Sequence, residues 1–279
     1  MTTWRDLYRD AVGRLDDRQA ARWFVEEASG GTWPSVLDES VPERAGRAFY
    51  GFTSRRAGGE PVQYVLGHWA FRRLELMVDR RVLIPRPETE VVVDLALAEL
   101  AALGVAKPLV ADLGTGSGAI ALALVDEHPG AEVWATDLSG DALQVASANL
   151  AGLGSAAAGR AHIVQGDWWS ALPPALRGSF DLVVTNPPYV AGDNLSALPA
   201  EVMEWEPALA LVPGPTGLEA LQAILADAEL WMSKRSAIVA EIAPDQAGRA
   251  IGLARGAGFS QVAVRPDLAG RARALVARR

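Results

Sequence analysis

Leu109-Val110-Ala111-Asp112-Leu113-Gly114-Thr115-Gly116-Ser117-Gly118 is the stretch on which the fold turns. Its mostly apolar first half predicts a buried strand, and the glycines predict a tight turn into a helix over 118–127. Glycine at such a turn lets a ligand approach the backbone, at the place where open α/β sheets bind their ligands. Outward from this turn the chain alternates. Strands are predicted at 132–136, 162–165, 180–185, 237–242, 261–265 and 273–277, and helices at 140–150, 217–231 and 245–255. That alternation implies an α/β fold, a doubly wound and mostly parallel sheet with helices on both faces. The last two strands are separated only by Pro266-Asp267-Leu268-Ala269-Gly270, close enough for an antiparallel pair. The Ala/Gly-rich stretch 151–161 reads as a flexible loop.

Upstream, the first eighty or so residues read as short helices. Thr3 and Asp6 resemble a capping box ahead of Leu7, Ala11, Val12 and Leu15, which share a helical face. A second helix is predicted over 17–29, presenting Ala21, Phe24, Val25 and Ala28 and ending at Gly30-Gly31. A third, over 42–56, stops at Ala57-Gly58-Gly59. Between 61 and 85 the period changes: Trp69, Phe71, Leu74, Leu76, Val78, Val82 and Ile84 are interspersed with polar residues, as in a hairpin of half-buried strands. Ile84-Pro85-Arg86-Pro87-Glu88-Thr89-Glu90 then leads into a helix over 91–103, with Glu88 and Glu90 placed where the helix dipole favours carboxylates. The expected organisation is a small helical bundle at 1–60, a hairpin linker at 61–86 and an α/β domain at 87–279.

Composition narrows the function. Half of the 279 residues are hydrophobic, as a globular core requires, and there is no cysteine. Disulfides, a thiolate nucleophile and Cys-based zinc or iron–sulfur sites are thereby excluded. His68, His128 and His162 lack metal-ligand spacing, so no metal site is expected. The first ten residues are charged throughout, unlike a signal peptide, and no apolar run approaches the roughly 18–20 residues of a membrane span. The expectation is a cytoplasmic protein with no membrane partner. The net charge is −8 and falls entirely after residue 80. An acidic body of this kind argues against a protein whose main work is neutralising nucleic-acid phosphates.

Two constellations carry chemistry. In the first, Asp137 follows Gly118 by 19 residues and ends the second strand of the α/β domain, where a carboxylate can accept hydrogen bonds from a ribose diol. A glycine turn with a downstream acid fits NAD, FAD or S-adenosylmethionine. The spacing here is G-x-G-x-G with Ala at 119, which departs from the dinucleotide fingerprint. Gln165-Gly166-Asp167-Trp168-Trp169 ends the next strand with aromatic rings that can meet an adenine or simply pack in the core. The pattern favours S-adenosylmethionine.

The second is Asp181-Leu182-Val183-Val184-Thr185-Asn186-Pro187-Pro188-Tyr189, a strand running straight into Asn-Pro-Pro-Tyr. From ordinary residue frequencies that tetrapeptide arises by chance in about one chain in a thousand of this length. The residues suit a planar NH2 group on an sp2 carbon. The Asn186 side-chain oxygen and a backbone carbonyl of the Pro187-Pro188 pair can each accept one N–H, and the prolines hold those carbonyls at fixed φ. Tyr189 can stack on the flat group. Such a loop can also be merely proline-braced, with its Asn satisfied internally. The chemistry leaves adenine N6, cytosine N4 and a glutamine side-chain amide open as acceptors.

As a whole the chain resembles the PrmC/HemK family, the protein-(glutamine-N5) methyltransferases of peptide chain release factors. The matching stretches are Arg22–Ala28, Pro61–Gly67, Val82–Glu90, the glycine turn, Asn-Pro-Pro-Tyr and Asp267–Arg271, which span nearly the full length. The seven predicted strands with a terminal hairpin likewise resemble the class I (Rossmann-like) S-adenosylmethionine-dependent methyltransferase sheet. The resemblance implies methylation of the Gln in the Gly-Gly-Gln motif of class I release factors; a monomer is expected. It also implies cofactor contacts from Gly114, Thr115, Gly116, Ser117, Gly118, Asp137, Trp168 and Asn186, and substrate contacts from Asn186, Pro187, Pro188 and Tyr189. Val212-Pro213-Gly214-Pro215-Thr216-Gly217 departs from the family's Gly-Gly-x-Asp-Gly and predicts a rebuilt loop near the substrate cleft. The competing readings are a nucleic-acid amino-methyltransferase acting on a flipped base and a cofactor-binding docking protein that no longer catalyses.

Overall fold

Helix α1 (Trp4–Leu15) begins where the Thr3 hydroxyl accepts from the Asp6 amide (3.3 Å) and the Asp6 carboxylate accepts from the Thr3 amide (3.0 Å). In this computed structural model, which describes residues 2–279, α1 opens the first of two compact units. That unit runs to His68 and takes in Ala200–Trp205. Asp17 caps α2 (Arg18–Ser29), which ends at the left-handed Gly30, and α3 (Glu43–Ala57) follows. Trp4, Leu7, Phe24, Val25 and Phe49 interlock as its core. Next comes α4 (Val62–Leu66), where an extended connector was expected. Pro61 starts this turn, and Val62 and Val65 bury the same helical side, a period too short to stand out in sequence.

The hairpin is correspondingly narrower than 61–85: β1 (His68–Phe71) pairs with β2 (Leu74–Met77). Val78, Val82 and Ile84 are buried as expected, but in irregular chain that turns at Asp79, whose carbonyl accepts from Val82 N (3.0 Å). Helix α5 (Pro87–Leu103) starts four residues earlier than 91, because Pro87 occupies N1, where a missing N–H costs nothing.

The second unit, Trp69–Pro199 with Glu206–Arg279, carries the large sheet. In chain order its further elements are β3 (Leu109–Leu113), α6 (Ala119–Glu127), β4 (Glu132–Asp137), α7 (Gly140–Gly152), α8 (Ser155–Ala158), β5 (Ala161–Gln165) and β6 (Phe180–Thr185). After α9 (Ala200–Trp205), which lies in the first unit, come α10 (Glu219–Trp231), β7 (Met232–Glu241), α11 (Ala247–Gly256), β8 (Gln261–Pro266) and β9 (Ala272–Arg278). The strand order is β5-β4-β3-β6-β7-β9-β8, parallel except for β9, which runs antiparallel to both neighbours. These are the seven strands and terminal hairpin expected from the resemblance to the class I methyltransferase sheet. Two further expectations are corrected. The supposed loop 151–161 holds the end of α7 and the short helix α8, with Ala157 buried. Strand β7 begins at Met232 rather than 237, its start disguised by the polar run Ser233-Lys234-Arg235.

Alternation along the strands builds two apolar layers. Val110, Leu182, Val184 and Val239 face one side with α5 and α6. Ala111, Leu113, Val183, Ile238 and Ala240 face the other with α10 and α11. Because the chain winds outward in both directions from β3 and β6, a crevice opens at their carboxyl ends.

Candidate active site

A cavity of about 370 Å³ occupies that crevice, within the second unit. The glycine turn forms one wall. Gly114 N and Thr115 N both donate to Thr136 O (2.8 Å each), which folds the turn back over the end of β4. Gly114 has φ +79, a conformation that favours glycine, and a Cβ there would press on the Trp168 ring at 3.2 Å. Asp137 braces the same turn: Oδ2 accepts from Gly116 N (2.8 Å) and Oδ1 from Ser139 N (2.9 Å). Each oxygen keeps a second lone pair for a ligand diol. Burial raises the pKa of this carboxyl, and the backbone donors oppose that rise. Beneath it, Asp112 is fully buried; Oδ2 accepts from the Thr115 hydroxyl (2.7 Å) and Ala121 N (3.1 Å), while Oδ1 has no partner. Burial pushes this carboxyl up to about 7.

Asn149 ties the hairpin to the turn. Its Oδ1 accepts from Met77 N (2.7 Å), and Nδ2 donates to Met77 O (3.1 Å) and Ser117 O (2.9 Å). Thus the segment read as a linker also supports the site, and Arg81, Leu83 and Pro85 contribute to its wall. The two tryptophans separate cleanly. Trp168, at φ +42, lines the cavity; Trp169 turns into the core, donates from Nε1 to Ile224 O (2.8 Å) and stacks on Trp231 with centroids 5.9 Å apart.

Asn186 and Pro188 line the cavity at the end of β6, opposite the chemistry of the glycine turn. Of the other sequence-predicted residues, Gly114, Thr115, Gly116, Ser117, Asp137 and Trp168 line it too. Gly118 caps α6, packed over Leu122, and Pro187 is buried behind the loop. Tyr189 is placed differently from a stacking platform: its hydroxyl donates to Glu241 Oε1 (3.2 Å), and its ring is not among the cavity walls. Burial, with the Glu241 carboxylate beside it, pushes the phenol pKa upward. The loop is clamped from below. Gln246 Nε2 donates to Tyr189 O (2.9 Å) and Gly217 O (3.0 Å). A Cβ on Gly217, φ +75, would lie 2.4 Å from that Tyr189 carbonyl. The unusual segment 212–217 does border the cleft, through Val212 and Pro213.

Sequence reasoning missed Thr89, Asn149, Glu241 and Gln246. Asn186 Nδ2 donates to Thr89 Oγ1 (3.2 Å), and Thr89 Oγ1 donates to Glu241 Oε2 (2.7 Å). One signal was available: Glu241 is the only charged residue in the apolar run Ala237-Ile238-Val239-Ala240-Glu241-Ile242. A buried acid there needs partners. Asn149 and Gln246 had no such signal, since amide side chains are common on helix surfaces.

The walls combine a backbone turn open to close approach, a carboxylate with spare lone pairs, an aromatic ring and apolar surface from Leu83, Ile120 and Ala142. That donor set suits a nucleoside bearing a diol, as S-adenosylmethionine does.

Comparison with known proteins agrees. A family model described as "Methyltransferase small domain" matches residues 93–211. The chain is 44% identical over 289 residues to the release factor glutamine methyltransferase of Moorella thermoacetica, covering 99% of both chains. It is 41% identical over 242 residues to that of Cereibacter sphaeroides, covering 87% of this chain and 83% of the relative. Among solved structures, the hMettl16 catalytic domain in complex with MAT2A 3'UTR hairpin 1 superposes with a TM-score of 0.58 at 14% identity, covering 91% of this chain and 90% of that one. At such identity the likeness concerns the fold alone.

Proposed function

The chain belongs to the release factor glutamine methyltransferase family, and we infer that it methylates the side-chain amide of the Gln in the Gly-Gly-Gln motif of class I release factors. The observation that carries this reading is Asn186, at the end of β6, lining the same cavity as the glycine turn with its Nδ2 already engaged by Thr89. S-adenosylmethionine, the family's cofactor, supplies an electrophilic methyl carbon when bound. Gly114, Thr115, Gly116, Ser117, Asp137 and Trp168 would hold it, with Gly118 setting the start of α6 behind them.

What the chain contributes is orientation. The free Asn186 Oδ1 and a carbonyl of the Pro187-Pro188 pair accept the two N–H groups of the substrate carboxamide. Accepting both hydrogens raises electron density on nitrogen and holds the amide in one pose. Positioning of this kind can contribute roughly 7–11 kcal/mol to a bimolecular step. Pro187 and Pro188 keep the carbonyls aimed because φ is fixed and no N–H competes. Tyr189 braces the loop from behind through Glu241 rather than by stacking. On this reading residues 1–60 grip the release factor, 61–86 link, and 87–279 catalyse. The enzyme acts as a cytoplasmic monomer without contacting nucleic acid, in keeping with the net charge of −8.

The test is incubation of the protein with S-adenosylmethionine and a purified class I release factor, followed by peptide mass spectrometry. A gain of one methyl group on the Gly-Gly-Gln peptide is expected. Absence of that gain, or methylation of RNA or DNA in its place, refutes the assignment.

A further inference from the structure

Glu241 is the last residue of β7 and is 1% exposed, an expensive place for a carboxylate unless its oxygens are used. Both are used. Oε2 accepts from the Thr89 hydroxyl at 2.7 Å, and Oε1 accepts from the Tyr189 hydroxyl at 3.2 Å. Arg273 Nη1 lies 3.9 Å from Oε1, and Arg273 is itself held by Asp267, whose Oδ2 is 3.2 Å from Nη2. Thr89 is buried on the first turn of α5, and its oxygen is 3.2 Å from Asn186 Nδ2.

Proton counting gives this chain of contacts a direction. Burial raises the pKa of Glu241, while the Thr89 and Tyr189 hydroxyls and the Arg273 guanidinium favour its charged form. The ionised carboxylate only accepts, so in that form the single hydroxyl proton of Thr89 must go to Glu241. Thr89 Oγ1 then has only lone pairs left for Asn186, and only the NH2 end of the Asn186 amide can face it. The carbonyl end is left for a ligand in the cavity that both residues line. An amide rotated by half a turn would place two lone-pair-bearing oxygens against each other. It would also present NH2 to a substrate that has N–H groups to donate.

We propose that Thr89 and Glu241 are positioning residues that fix which end of the Asn186 carboxamide faces the substrate amide, by a one-way hydrogen-bond relay from Asn186 through Thr89 to Glu241. The role rests on the glutamine-amide reading above and adds to it the residues that set acceptor polarity. Tyr189 and Arg273 hold Glu241 from its other oxygen. Neither Thr89 nor Glu241 touches the reacting atoms.

The test compares Thr89→Val, which keeps shape and removes the relay, with Thr89→Ser, which keeps the hydroxyl, and with Glu241→Gln. Steady-state methylation of a release factor should show kcat falling about tenfold or more in Thr89→Val, the loss of one oriented hydrogen bond. KM and the cofactor Kd should stay near wild type, and Thr89→Ser should restore most of kcat. Glu241→Gln should fall between them, because either end of the new amide can face Thr89. Unchanged kcat in Thr89→Val overturns the relay, as does equal loss in Thr89→Val and Thr89→Ser, which marks a packing role. A second measurement needs no substrate: with 15N-asparagine labelling, the Asn186 side-chain NH2 protons should exchange slowly in wild type and Thr89→Ser, and fast in Thr89→Val. An inactive wild type with that exchange pattern intact refutes the substrate reading and leaves the relay standing; equal exchange in all three refutes the relay.

Discussion

Replacing Asp137 by Asn tests how the glycine turn is held and what it holds. The carboxylate accepts from Gly116 N at 2.8 Å and Ser139 N at 2.9 Å through different oxygens, so lone pairs remain for the ribose hydroxyls that the proposed role assigns to it. An asparagine has one oxygen. Whichever way it turns, an NH2 group faces one backbone N–H, and half of the diol's acceptors disappear. A hydrogen bond to a charged partner contributes about 1.5–3 kcal/mol. Part of the loss is offset because burial already disfavours the charge, as the raised pKa of this carboxyl indicates. The expected outcome is a cofactor Kd weakened by about 10- to 100-fold, with the ligand-free melting temperature lowered only modestly. Calorimetric titration of S-adenosylmethionine into each protein at one pH measures the first, and thermal unfolding without cofactor measures the second. An unchanged Kd refutes the assignment of Asp137 to the ribose. A collapse of the ligand-free fold shows instead that bracing the turn is its main role.

Asp112 links stability to pH. Its buried carboxyl titrates near 7 when folded and near 3.8 when unfolded, so between those values the folded chain holds a proton that the unfolded chain has released. Its contribution to stability is therefore greatest below about 4, falls as pH rises towards 7 and is level above, a span of about 4 kcal/mol at most. Urea unfolding across that range should show Asp112→Asn flattening the decline, and parallel curves for the two proteins contradict the burial argument. Gly217→Ala places a methyl group against the Tyr189 carbonyl and the Gln246 amide, so about 2–4 kcal/mol of stability should be lost from left-handed strain and broken hydrogen bonds. Denaturation midpoints close to wild type show that the loop yields. Trp169→Ala should cost about 3–5 kcal/mol of stability, whereas Trp168→Ala should act chiefly on cofactor affinity; the reverse pattern, read by melting and calorimetry, shows that their placement is misassigned.

Much of the second unit was legible in the linear chain. The strand ending at Leu113, the glycine turn and Asp137 lie within 30 residues of one another, and their conformations follow from local preferences for burial, positive φ and strand termination. Asn186 was legible for a related reason: two prolines after a strand leave the chain few alternatives. Even the capping box at Thr3 and Asp6 was local. Where the reading failed, the deciding contact came from elsewhere. Helix α8 forms in a stretch read as a loop because Ala157 finds a core to enter. Trp168 and Trp169 are neighbours in sequence, yet only the position of Ile224 and Trp231 on α10 sends one of them inward.

The polarity of Asn186 is the extreme case. Thr89 is 97 residues away, and Glu241 lies 152 residues beyond Thr89. The order of residues was enough to place a carboxamide and two fixed carbonyls at the edge of a sheet. On the proposed relay, which end of that carboxamide faces outward depends on the hydrogen bond that Thr89 on α5 donates to Glu241 on β7. Those two elements become neighbours only when the sheet assembles and the helix packs over it, and the direction of a hydrogen bond between them is something no linear pattern records.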